Sequence, residues 1–132
     1  TEYSAVASRL NREIAMPALI RFAGAIPNVR GPLEANAKLD DDYESYDANC
    51  EVAPVTSPEK PVKFRIRIRP DTVRAGITVE CEMTSREAEL FHDATDLPVE
   101  GIDEQRLHQW IEDVIAGAYQ RFCELHYPPA SR

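Results

Sequence analysis

Apolar and polar residues alternate almost without a break over residues Pro61–Thr84. In the run Val62–Ile68 every second residue is apolar, and lysine or arginine occupies the positions between. The run Val73–Met83 repeats the alternation, with threonine and glutamate on its polar side. A two-residue period is that of a β-strand with one buried face. The stretch therefore predicts a β-hairpin with one apolar face and one charged face.

The first residues of the chain have a helical period. Apolar residues recur every three or four positions over Glu2–Met16, which predicts an amphipathic helix. Pro17 lacks a backbone donor, so this helix should end or kink there. Residues 18–26 can form a second short helix that is apolar on nearly all sides. Such a segment is expected to be buried in the core or against a second subunit.

The end of the chain also predicts helices. Over Glu104–His126 one stripe of apolar residues recurs at helical spacing, and Asp103 is a natural N-cap. Thr84 and Glu87 have the spacing of a capping box, which predicts a short helix over residues 85–93.

Residues 28–61 contain several prolines, an acidic cluster and few periodic apolar positions. We expect most of this segment to be a long loop, although a connection of such length is uncommon in compact domains. A third strand over Cys50–Val55 would have to lie at a sheet edge, because Pro54 cannot donate to a neighbouring strand. The whole pattern predicts a single α+β domain over residues 1–132, with a central antiparallel hairpin and a long C-terminal helix packed on one sheet face.

Composition narrows the functional classes. The chain has 132 residues, and its net charge of −8 opposes binding to nucleic acid. No stretch is apolar enough to predict a membrane span. Three cysteines cannot all pair within one chain and have no metal-site spacing, so reduced thiols and a cytoplasmic location are expected.

The basic row on the first strand is the sharpest polar feature. A six-residue loop would place Arg65 opposite Glu80, whereas a four-residue loop would leave Arg69 beside Arg74. In either register glutamates neutralise part of the row. An anion site is therefore predicted, if anywhere, at the turn end, formed by Arg67, Arg69 and Arg74.

Other sites are suggested by spacing alone. The acidic run from Asp40 to Glu51 can be laid on an EF-hand loop, but Ser45 stands where glycine is needed, which disfavours calcium. His108 with Glu112, and Cys123 with His126, lie at helical spacing, and each pair could react or bind metal. His92 could approach either pair in space. His108 beside Glu112 is explained as an ordinary surface pair, and His126 in the last helical turn as a cation that complements the helix dipole, so no metal and no cofactor is predicted.

The apolar surface of the predicted helices exceeds what a two-stranded sheet can cover. A homodimer is an economical explanation. The residues expected at such an interface are Leu19, Ile20, Phe22, Trp110 and Tyr119.

Two functional hypotheses remain. The first is a non-enzymatic protein-interaction module, a small acidic adaptor or chaperone-like subunit. The alternative is a small-molecule-binding domain or enzyme with its pocket between the hairpin and the last helix, where Arg67 or Arg69 would hold an anionic group.

Overall fold

A computed structural model describes residues 2–39, 44–86 and 88–127 of the chain. Helix α1 spans Glu2–Leu10, continues through a π-helical turn at Asn11–Ala15, and passes into α2 at Met16–Ala25. Strands follow at Val29–Leu39 (β1), Glu44–Val52 (β2), Val62–Asp71 (β3), Gly76–Thr84 (β4) and Glu89–Pro98 (β5). Helix α3 spans Glu104–His126.

Within the described residues the strands form one antiparallel sheet in the order β1-β2-β3-β4-β5. Helices α1 and α2 contact β1, β2 and β3, and α3 contacts β4 and β5. The inward side chains of β3 and β4 are buried beneath these helices. The predicted α+β class, with the long C-terminal helix packed on one sheet face, is confirmed.

The N-terminal helix does not stop at Pro17. The helix passes into a π turn over Asn11–Ala15, where the N–H of Met16 donates to the carbonyl of Asn11, five residues earlier. Pro17 then occupies the first turn of α2, where a missing N–H costs little. The wider turn therefore accommodates the proline within one continuous helical segment.

The core is centred on aromatic side chains from three elements. Phe64 of β3 is 1% exposed, and its ring lies 5.2 Å from Phe22 of α2 and 5.9 Å from Phe122 of α3. Burying a side chain of this size contributes about 1.5–3 kcal/mol. These contacts hold both helical segments on the sheet.

The loop predicted over residues 28–61 is wrong for most of that segment, because β1 and β2 lie within it. Strand β2 does alternate, with Ala48, Cys50 and Val52 buried beneath the helices. Most of its inward residues are small, and its outward residues include acids and an amide. The difference in size and polarity between its two faces is therefore weaker than in β3. Residues 53–61, which contain three of the prolines, form turns and irregular backbone.

The short helix predicted over residues 85–93 is also wrong. After Thr84 the chain reverses, with the N–H of Ser85 donating to the carbonyl of Ala88, and it returns as β5 along β4. Glu87, on which the capping box depended, lies outside the described residues. Residues 89–98 form backbone hydrogen bonds with the free edge of β4. A short helix is only marginally stable by itself, so pairing with β4 is favoured.

The hairpin itself is confirmed, but its register matches neither predicted alternative. Arg65 lies opposite Glu82 and Arg67 opposite Glu80, because the strands run on to Asp71 and Gly76 before they turn. The offset from each alternative is an even number of residues, so every side chain keeps its predicted face. Val73, expected on the apolar face, lies in the turn and is 94% exposed.

Helix α3 has the predicted bounds, and the side chain of Asp103 accepts a hydrogen bond from the N–H of Arg106 as an N-cap. None of the described helices is long and apolar enough to cross a membrane.

Candidate functional site

The face of the sheet opposite the helices carries a charged network. Arg67 donates two hydrogen bonds to the carboxylate of Asp47 on β2, at 3.0 and 3.1 Å. On the other side of β3, Arg65 pairs with Glu82 at 2.6 Å. These side chains are only 11–23% exposed although no helix covers them. Long side chains on neighbouring strands shield one another.

The cations predicted as an anion site each have a carboxylate partner. Arg67 is held by Asp47, Arg69 by Glu80, and Arg74 lies 3.6 Å from both Asp71 and Asp96. Negative groups therefore already occupy the positions that an anion would take. The binding of an anion here remains a prediction without geometric support.

The network favours the ionised form of Glu82. Burial alone would raise the pKa of Glu82, but the hydrogen bond and charge of Arg65 outweigh burial and hold that pKa below its usual range. The face is therefore a set of paired charges with little net field.

His92 belongs to this network and not to either predicted reactive pair. It lies on β5 opposite Glu82, and its Nε2 is 3.4 Å from Oε2 of Glu80. Because it sits on the face away from the helices, it cannot reach His108 or His126 of α3. The structure therefore does not assemble the three histidines into one site.

The two histidine pairs on α3 stay separate. Nε2 of His108 lies 3.5 Å from Glu112, and both contact Arg21 of α2 on the protein surface. Cys123 and His126 lie one helical turn apart near the end of α3, where the His126 ring packs 4.7 Å from Phe122. The two pairs are thus at opposite ends of a helix of about 33 Å.

The cysteines behave as packing residues. All three are free, and Cys50 and Cys81 are buried beneath the helices. Burial raises the pKa of each of these two thiols to about 12. Neither thiol is suited to act as a nucleophile.

The predicted interface residues divide into three groups. Leu19 is fully buried in the core, and Phe22 and Tyr119 are half-buried with their rings 5.5 Å apart. Ile20 is 51% exposed on α2. Trp110 is half-buried and faces a cleft.

This cleft, of about 390 Å³, lies between β5 and the first half of α3. Its apolar walls are Leu97, Ile102, Leu107 and Trp110, and Arg106 stands on its rim. Among the described residues no carboxylate pairs with the Arg106 guanidinium. The cleft therefore joins apolar walls, the single tryptophan of the chain and the Arg106 cation, and Asp96 and Asp103 also line it.

Sequence reasoning placed Trp110 at an interface but missed the rest of the cleft. Leu97 was not expected to lie on a strand, since β5 was not predicted. The signal that could have found them is the alternation of Phe91, Thr95 and Leu97 on one face of a strand. That signal is weak because Asp93 interrupts it.

Comparison with known proteins finds no matching family model, no matching curated protein and no matching solved structure.

Proposed function

We propose that the protein is a protein-interaction module that acts as a homodimer, with a turn of each copy docked in the cleft of the other. The observation that carries the proposal is that an exposed valine on the β3–β4 turn and a cleft with apolar walls lie at the same end of the sheet. Val73 projects from the β3–β4 turn and is 94% exposed. The cleft beside β5 has apolar walls of matching character.

The turn and the cleft are neighbours on the molecule. Gly76, three residues after Val73, pairs with Pro98, and Pro98 lines the cleft. A two-fold axis close to this end of the sheet can therefore place each Val73 in the opposite cleft at the same time. Such a contact is isologous and closes at two subunits.

The chemistry of the cleft supports a protein partner. Tryptophan and arginine are the residue types that most often dominate binding energy at interfaces, and Trp110 and Arg106 stand together here. The carboxylate of Asp71, beside the projecting turn, can accept hydrogen bonds from Arg106 of the other copy in exchange for its 3.6 Å contact with the exposed Arg74. The turn thus offers both an apolar and an anionic group.

The paired face of the sheet is a poorer docking surface. Its arginines and carboxylates already satisfy one another, so a partner would gain little by replacing those contacts. The free thiols of the chain fit a reducing compartment such as the cytoplasm.

Sedimentation equilibrium at protein concentrations from about 1 to about 100 µM tests the proposal. We expect a reversible dimer for the natural chain and a dissociation constant at least about tenfold weaker for Val73→Asp and for Trp110→Ala. Val55→Asp is the matched control, because Val55 is also an exposed valine, at 65%, in a different loop. A monomer across the whole range would overturn the proposal, and a dimer that survives both substitutions would overturn the docking geometry.

A second candidate function is the binding of a small molecule in the same cleft. A volume of about 390 Å³ lies within the range of small-ligand sites, and Arg106 can hold an anionic group at the rim. Fluorescence of Trp110 in the Val73→Asp variant, at a concentration below its dimer dissociation constant, tests this function with a panel of aromatic and aliphatic carboxylates. Saturable quenching that is lost in Arg106→Ala supports it, and an unchanged spectrum with every compound rejects it for this class of ligand.

A further inference from the structure

Two carboxylates and one imidazole converge on the charged face of the sheet. Glu82 of β4 lies directly opposite His92 of β5, and Glu80 precedes Glu82 by two residues on the same face. One donor atom from each of the three side chains lies within 4.8 Å of the other two. Nothing in the dimer proposal uses these residues, which lie on a different surface from the cleft walls.

We propose that Glu80, Glu82 and His92 form a binding site for a divalent transition-metal ion, with Zn²⁺ as the representative ion. One imidazole nitrogen and two carboxylate oxygens are three protein donors of the types that such ions accept. Three protein ligands leave at least one coordination position for water or for an exogenous ligand. The site is built on two adjacent strands, which hold their side chains more rigidly than loops do.

The two arginines beside the site act as outer partners of the carboxylates. Arg69 contacts Oε1 of Glu80, which leaves Oε2 of the same carboxylate facing Nε2 of His92 at 3.4 Å. Arg65 likewise holds Oε2 of Glu82. A carboxylate fixed through one oxygen by a hydrogen-bond donor presents its other oxygen in a defined direction, as ligands of metal sites commonly do.

The contact between His92 and Glu80 leaves room for an ion. A distance of 3.4 Å lies at the outer limit for a hydrogen bond, so the imidazole gains little from it. Bonds of about 2.0–2.2 Å to a central zinc would bring the three donor atoms closer together than 4.8 Å. The His92 side chain can make this movement because it is 42% exposed, whereas that of Glu80 is only 11% exposed.

The surrounding charge sets the preference among ions. Arg65, Arg67 and Arg69 repel any dication and counteract the negative charge of the two glutamates. Ca²⁺ and Mg²⁺ depend on several oxygen ligands, and they have little here to offset this repulsion. A bond to imidazole nitrogen compensates for it in the case of Zn²⁺, Ni²⁺ or Co²⁺. The site should therefore select transition ions over Ca²⁺ and Mg²⁺.

Isothermal titration of the whole chain with ZnCl₂ tests the site, with His92→Ala and His92→Gln as variants. We expect one ion per chain and a loss of affinity of at least about tenfold in both variants. His108→Ala is the matched control, because His108 is also a half-exposed histidine beside a glutamate. It should bind as the natural chain does. CaCl₂ at millimolar concentration should produce no binding heat.

Absorption spectra with Co²⁺ identify the donor atoms. Binding through nitrogen and oxygen gives weak visible bands without an intense sulfur charge-transfer band. The proposal is overturned if the natural chain gives no zinc heat, if both His92 variants bind as it does, or if a sulfur band shows that a cysteine holds the ion. Since His92 is partly exposed on an edge strand, its substitution is expected to leave the fold intact, and circular dichroism checks this.

Discussion

Asp47 and Arg67 form a two-pronged ion pair across β2 and β3, with both side chains less than one fifth exposed on a sheet face that no helix covers. Removing the carboxylate would leave a shielded guanidinium without its main anionic partner. For Asp47→Ala we expect a loss of about 2–3 kcal/mol in the free energy of unfolding, below the 3–5 kcal/mol of a fully buried pair because some water reaches this one. Urea denaturation measures the change as a lower midpoint at unchanged slope.

Glu124→Ala is the control for that experiment. Arg121 and Glu124 are each at least half exposed and 3.7 Å apart, so the substitution should leave the midpoint nearly unchanged. The simultaneous change of Asp47 to Leu and Arg67 to Met should cost less than Asp47→Ala alone, since neither member of the pair is left without the other. A double variant that is less stable than the single one would contradict this interpretation of the pair.

Phe64 is the contact that joins both helical segments to the sheet. Because its ring is buried between Phe22 and Phe122, Phe64→Ala should lower the free energy of unfolding by about 3–5 kcal/mol. Val73→Ala, at the exposed turn, should have almost no effect on the isolated subunit. Denaturation below the dimer dissociation constant separates the two contributions, and equal losses in both variants would show that the core is not centred on Phe64.

The apolar pattern predicted those elements whose two faces differ strongly. Helix α3 and the β3–β4 hairpin were predicted because large apolar residues alternate there with charged ones. Strand β1 was missed, and the strand suggested over Cys50–Val55 overlaps only the end of β2, because small residues such as Ala48 lie where large ones mark a strand. The edge position expected for that strand is wrong, since β2 lies between β1 and β3. Strand β5 was missed for a related reason, since its conformation depends on the edge of β4.

The candidate sites were harder to predict than the fold. Trp110 was placed at an interface from its position beside the apolar stripe of α3, but the opposite wall of the cleft depends on β5. His92 could not be joined to Glu80 and Glu82 from sequence, because the register of β4 and β5 brings them together. Distances between residues far apart in the chain follow from strand pairing, which local patterns do not fix.

Two glycines provide a test of backbone packing in which the same substitution should have opposite effects. A Cβ added to Gly76 would lie 2.5 Å from the carbonyl oxygen of Leu97, so Gly76→Ala should force β4 and β5 apart and cost about 1–3 kcal/mol. At Gly24, near the end of α2, a Cβ meets no atom within 4 Å among the described residues. Gly24→Ala should therefore stabilise the protein by up to about 1 kcal/mol through its better helix propensity. Thermal unfolding of the two variants in parallel checks the signs, and a stabilised Gly76→Ala would contradict the close approach.

His126 makes stability depend on pH near neutrality. Its Nε2 is buried, with no hydrogen-bond partner among the described residues, and burial lowers the pKa of this histidine from its ordinary value of 6.5. As the pH falls through 6.5, His126 binds a proton in the unfolded chain but not in the folded one. The folded state therefore loses stability until the pH reaches the lower pKa of the folded state.

The carboxylates of Glu82 and Glu104 affect stability in a separate pH range. Because their pKa values are lowered in the folded state, the stability that they contribute is lost only below about pH 4.5. Unfolding free energies measured between pH 7 and 5.5 should therefore decline in the natural chain and in Glu104→Gln, but less steeply in His126→Leu. If His126→Leu declined as steeply as the natural chain, the imidazole would not be the group responsible.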